Sequence, residues 1–281
     1  MNASLPNPPA APAPADGPAL RPLSICVDDL GLHPGVTGSV LQLAELGHIS
    51  ATSAMTQMGH WPEAAQALAP VRGQLDVGLH FNLTESSPEG PGMPLGGLIR
   101  RSVLRQLDVA QLASSFESQL SAFASVWGSL PDHIDGHQHV HQFPQVRQAM
   151  WQVLDRWRDR HPGWKPWLRA SVPALPAGLK GQVLAALGGR ALARECAARG
   201  LPCSAGLTGI YGFDGPPEAY LARWQHWLAH SPAGSVLMCH PAMAEVPGDA
   251  IAAARLREHA VLVSAAAHPA RQGARATRGL R

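Results

Sequence analysis

The run LSICVD, Leu23 to Asp28, is apolar until it meets an acid, and Asp29, Leu30 and Gly31 come straight after it. A short apolar run bounded by a turn signal reads as a strand buried on both faces, as in parallel sheets. Gly35 to Leu46 then reads as a helix carrying Val36, Val40, Leu41 and Leu43. The alternation continues outward. Ser50–Thr56 reads as a strand and Pro62–Leu68 as a helix opened by proline. Leu75–Leu83 (LDVGLHFNL) is a third strand, Ser86–Gly97 a loop rich in Gly and Pro, and Val109–Val126 a long helix. An extended segment over His133–His137 precedes a helix from Pro144 through Trp157. Then come a strand at Trp167–Val172, a helix over Gly178–Arg199 interrupted at Gly188 and Gly189, and a segment over Gly206–Phe213. A helix at Pro217–Leu228 and the late strand Ser235–Cys239 (SVLMC) complete the pattern. The alternation argues for a parallel α/β sheet, open or closed into a barrel. About seven or eight strand–helix units in roughly 240 residues fit a single-domain barrel better than two domains.

The ends of the chain differ from this middle. Residues 1–22 hold seven prolines among Ala, Asn, Gly and Ser and read as a disordered leader. Residues 265–281, with Arg271, Arg275, Arg278 and Arg281, read as a basic flexible tail, which leaves 23–264 as the barrel domain. Across 281 residues the net charge is +2, from 22 basic and 20 acidic side chains, so no strong positive field recruits nucleic acid. No apolar run reaches the roughly 20 residues of a membrane span. The N-terminus carries no basic segment leading into an apolar one, so the expected location is the cytoplasm. The four cysteines form no C-x-x-C pair, as expected of buried thiols in a reducing compartment. Nothing in the pattern sets the oligomeric state, and a homodimer stays open. The unusual count is 14 histidines against two tyrosines.

Working residues of α/β folds collect at the carboxyl ends of strands. Asp28 and Asp29 close the first strand, and both can serve one site only where the backbone turns, which Gly31 and Pro34 signal. His80 sits inside LDVGLHFNL. In His133-Ile-Asp-Gly-His-Gln-His-Val-His141, four histidines and an aspartate alternate as if to line one face of an extended segment. His240 ends the last strand in Cys239-His240-Pro241. An aspartate, a strand-end histidine and a histidine from the cluster make a two-histidine, one-carboxylate metal site with positions left for water and substrate. The spare aspartate supplies a base, and His240 is a candidate acid.

These landmarks resemble the YdjC-like family of carbohydrate deacetylases, which includes chitooligosaccharide deacetylases and hopanoid-associated members. The likeness runs from about Leu23 to Val263. It rests on ICVDDLGLHPGV, SATSAMTQM, VGLHFNLTE, HIDGHQHVHQFPQV, WLRA and LMCHPA. It implies a distorted (β/α) barrel related to polysaccharide deacetylases, holding one divalent metal ion, Mg2+ or Zn2+. By motif position the metal ligands are Asp29, His80 and His137, the base is Asp28, and His240 is the acid. His139 and His141 then contact substrate or the ligands from outside, and Arg169 orients Asp28, binds sugar hydroxyls or forms a surface ion pair. Leu30 stands where family members carry an aromatic residue, which is expected to alter sugar stacking. Trp61, Trp127, Trp151 and Trp164 are sugar-stacking candidates, although helix-spaced tryptophans more often belong to a core. The implied reaction removes an N-acetyl group from an amino sugar or short N-acetylglucosamine glycan, lipid-linked glycans included, giving acetate and an amine. The alternatives are a hydrolase of non-sugar amides or phosphodiesters on the same scaffold, and a non-haem Fe(II) enzyme. The latter usually carries a close H-x-D on a β-sandwich, whereas here the acid comes first and strands alternate with helices. A silent carbohydrate- or metal-binding protein would have no need of the second aspartate.

Overall fold

The structure is a computed structural model and describes residues 20–88 and 90–280. The proline-rich leader, as far as residue 19, lies outside the described residues. The chain runs β1 (Arg21–Leu30), α1 (Pro34–Glu45), β2 (Ala51–Ala54), α2 (Trp61–Ala67), β3 (Asp76–Phe81), α3 (Leu95–Val103) and α4 (Val109–Trp127). It continues through β4 (His133–Gly136), α5 (Pro144–Arg160), β5 (Trp167–Leu168), α6 (Gly178–Leu184), α7 (Arg190–Ala198) and β6 (Leu207–Thr208). It ends with α8 (Pro217–His230), β7 (Val236–Cys239), α9 (Ala252–Leu262) and β8 (Ala274–Ala276).

The strands run in the order β5-β4-β3-β2-β1-β7-β6, and each neighbouring pair is parallel. Parallel bridges Leu168↔Cys203 and Pro173↔Leu207 join the two ends of that path, so the sheet curls into a distorted α/β barrel. Every residue of β1 from Leu23 onward is buried, as is all of β3, which explains why these strands read as continuous runs. Local signals set the helix ends. Asp108 accepts from the N–H groups of Ala110 and Gln111 to start α4, and Gly128, at φ 76°, stops it. The interruption expected at Gly188 and Gly189 is a π-turn segment between α6 and α7. Gly188 has φ 148°, and a Cβ there would lie 1.8 Å from the carbonyl oxygen of Gln142.

Three elements depart from the sequence reading. Helix α3 begins at Leu95, inside the stretch read as loop, and α9 fills a region read without structure. The tail expected to be flexible carries β8, which pairs with Arg21–Leu23 of β1. That part of β1 precedes Cys26, where the register with β2 begins, so on that edge the Arg21 N–H and the Leu23 carbonyl are open to another strand and take Gly273 and Thr277. Arg278 Nε then meets Asp76 Oδ1 at 3.0 Å. Among the described residues no helix is long and apolar enough to cross a membrane.

Candidate metal centre

The acidic pair works as the turn requires. Asp29 has φ 67°, and the β1–β2 register shifts between Val27 and Leu30, a bulge that lets adjacent carboxylates reach one site. Asp29 Oδ1 lies 3.2 Å from His80 Nε2 and 2.9 Å from His137 Nδ1. The donor atoms of these three residues all fall within 4.8 Å of one another.

Each histidine has a carboxylate against its other nitrogen. His80 Nδ1 donates to Asp135 Oδ1 at 2.7 Å, and His137 Nε2 lies 3.4 Å from Glu85 Oε1. The parallel register places His80 beside Asp135. Such partners fix the tautomer and aim the remaining nitrogen at a cation. A carboxylate oxygen and two ring nitrogens converging on one point can be joined by shared protons or by a metal ion. Burial would lower the His80 pKa, but Asp135 and Asp29 push it up to about 10. The donor set therefore fits a metal ion, which would take the place of those protons.

Behind this group stands Arg169, 1% exposed. Its Nη1 and Nη2 grip Asp28 at 2.6 and 2.7 Å, and Nη2 reaches Asp135 Oδ2 at 2.5 Å. Burial alone would raise the Asp28 carboxyl. The Arg169 guanidinium outweighs it and holds Asp28 below the ordinary carboxylate range. Asp29 is likewise raised by burial but pulled well down, chiefly by Arg255, whose Nη2 meets Asp29 Oδ2 at 2.7 Å. His240 Nε2 lies 3.8 Å from Asp28 Oδ2.

A cavity of about 460 Å3 opens over these groups at the carboxyl ends of the strands, and Asp28, Asp29, His80, His137 and His240 all face it. The four histidines of the cluster do not line one face. The strand stops at Gly136, and residues 137–142 form a 3-10 segment in which Gln138 and His139 have positive φ, so strict alternation ends there. His139 lines the cavity with Nδ1 3.0 Å from Ser171 Oγ, and burial drops its pKa to about 3. His141 is fully buried, and its Nε2 meets the Arg169 carbonyl oxygen at 2.7 Å. His133 is buried and stacks on Trp167 at 4.1 Å, in space left open by Gly78. Arg169 is neither a surface ion pair nor a lining residue, so of the three expected roles its geometry leaves the orientation of Asp28.

Of the two aromatic expectations, the one for Leu30 is corrected, and the tryptophans take the core places that their spacing favoured. Leu30 is fully buried in the core and does not line the cavity, because the bulge at Asp29 turns it inward. Trp61 stacks on Phe123 at 5.4 Å, Trp127 and Trp151 are buried, and Trp164 donates to the Pro131 carbonyl. The cavity's aromatic walls are instead Tyr211 and Phe213. Glu85, Arg255 and these two rings escaped the sequence reading. Asp135 was counted in the alternating cluster but given no role, which its shared strand face with His133 and its place beside His80 supply.

The fold and this pocket define an α/β barrel with a carboxylate–histidine centre at its strand ends. The YdjC-like protein family profile matches residues 22–272, and the chain belongs to that family. A carbohydrate deacetylase from Mus musculus is 29% identical over 253 residues, covering 80% of this chain and 79% of the mouse protein. The Homo sapiens carbohydrate deacetylase is 30% identical over 193 residues, 61% of this chain and 59% of the human protein. The chitooligosaccharide deacetylase of Serratia marcescens is 35% identical over 133 residues, covering 44% of this chain and 52% of that protein. A crystal structure from Enterococcus faecalis V583, of a protein named for cellobiose-phosphate cleavage, superposes with TM-score 0.67 at 17% identity. That match covers 92% of this chain and 98% of the other, and it supports the fold.

Proposed function

We propose that the protein is a metal-dependent carbohydrate deacetylase. It would remove the N-acetyl group from an amino sugar or a short N-acetylglucosamine glycan, free or lipid-linked, and release acetate. The observation that carries this reading is the placement of Asp28. Its carboxyl, held below the ordinary range by Arg169, lies beside the Asp29–His80–His137 group but outside it, with His240 across the same space.

Asp29, His80 and His137 would hold the cation, Mg2+ or Zn2+. When bound it supplies Lewis-acid polarisation of the acetyl carbonyl and makes a water more acidic. Arg169 keeps Asp28 ionised and aimed into the cavity, where Asp28 accepts the proton of the attacking water. His240, within 3.8 Å of Asp28, delivers a proton to the departing amine. Water is thus divided between acetate and a free amino group. Tyr211 and Phe213 offer ring faces to a sugar, and Leu32, Leu95, Leu184 and Val246 give the cavity an apolar side suited to a lipid-linked substrate.

The test is acetate release from N-acetylglucosamine mono-, di- and oligosaccharides by protein stripped with a chelator and reloaded with single metals. Acetate that appears only after metal is restored is the expected result. Hydrolysis of phosphodiesters or non-sugar amides, with no N-acetyl sugar cleaved, would overturn the reading.

A further inference from the structure

The ring of His240 is gripped weakly for a proton donor. Its Nδ1 is buried with no hydrogen-bond partner among the described residues, and Phe213 packs against it edge-on at 5.3 Å. Its placement therefore falls to its backbone. The His240 N–H donates to Glu258 Oε2 at 2.6 Å, and its carbonyl oxygen lies 3.5 Å from Arg255 Nη1. Two residues on, the Ala242 N–H donates to the Arg255 carbonyl oxygen at 3.1 Å.

Arg255 and Glu258 are three apart on α9 and share one face. They are 1% and 0% exposed, although charged residues are seldom buried without a purpose. Arg255 also holds Asp29 Oδ2 and, through Nε, Asp249. The second oxygen of Glu258 accepts from the Tyr211 hydroxyl at 2.6 Å, on the cavity wall. One helix face thus connects His240, Asp29 and Tyr211.

We propose that Arg255 and Glu258 are positioning residues that hold His240 where it can protonate the leaving group. The inference rests on His240 being the acid of the proposed deacetylase. Neither residue touches the reacting atoms. Both act by fixing the two ends of the His240 peptide.

Three variants test this: Glu258→Ala, Glu258→Gln and Arg255→Lys. Glutamine keeps an oxygen for the His240 N–H and can donate its amide to the Tyr211 hydroxyl oxygen, so it separates lost geometry from lost charge. The substrates are N,N′-diacetylchitobiose, whose amine must be protonated to leave, and 4-nitrophenyl acetate, whose phenolate leaves without a proton. Glu258→Ala should lower kcat on the amide about 100-fold, with KM within about twofold. On the ester the loss should stay under about tenfold, because no acid is needed there. Glu258→Gln should restore most of the amide rate, and Arg255→Lys should fall between. A crystal structure of Glu258→Ala should show the His240 ring displaced from Asp28.

Equal losses on amide and ester, a Glu258→Ala variant as fast as wild type, or an unmoved His240 ring would each overturn the inference. If wild-type protein released no acetate from any N-acetyl sugar, the deacetylase reading would fail instead. The crystallographic displacement would still decide the positioning role.

Discussion

Replacing Arg169 with methionine removes the guanidinium that joins two buried acids. The side chain makes contacts of 2.6 and 2.7 Å to Asp28 and 2.5 Å to Asp135. In Arg169→Met, Asp135 keeps His80 as a hydrogen-bonded charged neighbour, whereas Asp28 keeps His80 within 4.8 Å and His240 Nε2 at 3.8 Å but loses its two short contacts to a cation. Removing one partner of a buried ion pair costs about 3–5 kcal/mol. At roughly 2–4 °C per kcal/mol this lowers the unfolding midpoint by about 6–20 °C at pH 8. The loss also has a pH signature. In wild type the folded pKa of Asp28 is depressed, so its stabilisation is present above the unfolded pKa and fades as pH falls through the folded one. In the variant burial, the largest influence on Asp28, is opposed chiefly by His80 alone and raises that pKa, so the folded state takes up a proton at low pH and loses stability as pH rises. The gap between the two proteins should therefore narrow from pH 8 to pH 5. Urea or thermal unfolding with chelator present measures it free of metal effects. A gap under about 1 kcal/mol at pH 8, or one that does not narrow, would refute this account of the Arg169 contacts.

The remaining expectations concern the centre itself. Asp28→Asn should abolish turnover while metal content, read by elemental analysis, stays at the wild-type level. Near-wild-type deacetylation would remove Asp28 as the base. His80→Ala and His137→Ala should lose metal occupancy together with rate, and full occupancy in both would disprove the ligand assignment. Because the His80 pKa is raised to about 10, metal binding at neutral pH should release about one proton from that ring. Titration calorimetry in buffers of different ionisation enthalpy counts it, and release of less than about half a proton would contradict the shared-proton picture.

The strands were legible because barrel strands are apolar on both faces, and LSICVD, LDVGLHFNL and SVLMC all became β-strands. The polar residues at their ends were legible as candidates for the same reason, since Asp28, Asp29, His80 and His240 interrupt otherwise apolar context. Helix α9 was not. Its inward face carries Arg255 and Glu258, which a hydrophobic pattern assigns to solvent. Strand β8, Ala-Arg-Ala, has no apolar signature and is defined by the open end of β1 that it pairs with.

Sequence by itself determined the class of fold and the set of chemically capable strand ends, because both follow from the local order of residue types. Tertiary structure decided which groups meet. The β3–β4 register put Asp135 against His80, and the turn after Gly136 sent His137 to Asp29 but His141 behind Arg169. Burial then placed Arg169 between Asp28 and Asp135 and brought α9 under His240. Hydrogen bonds and ion pairs act over about 3 Å, so residues 141 or 226 positions apart become partners only when the sheet curls.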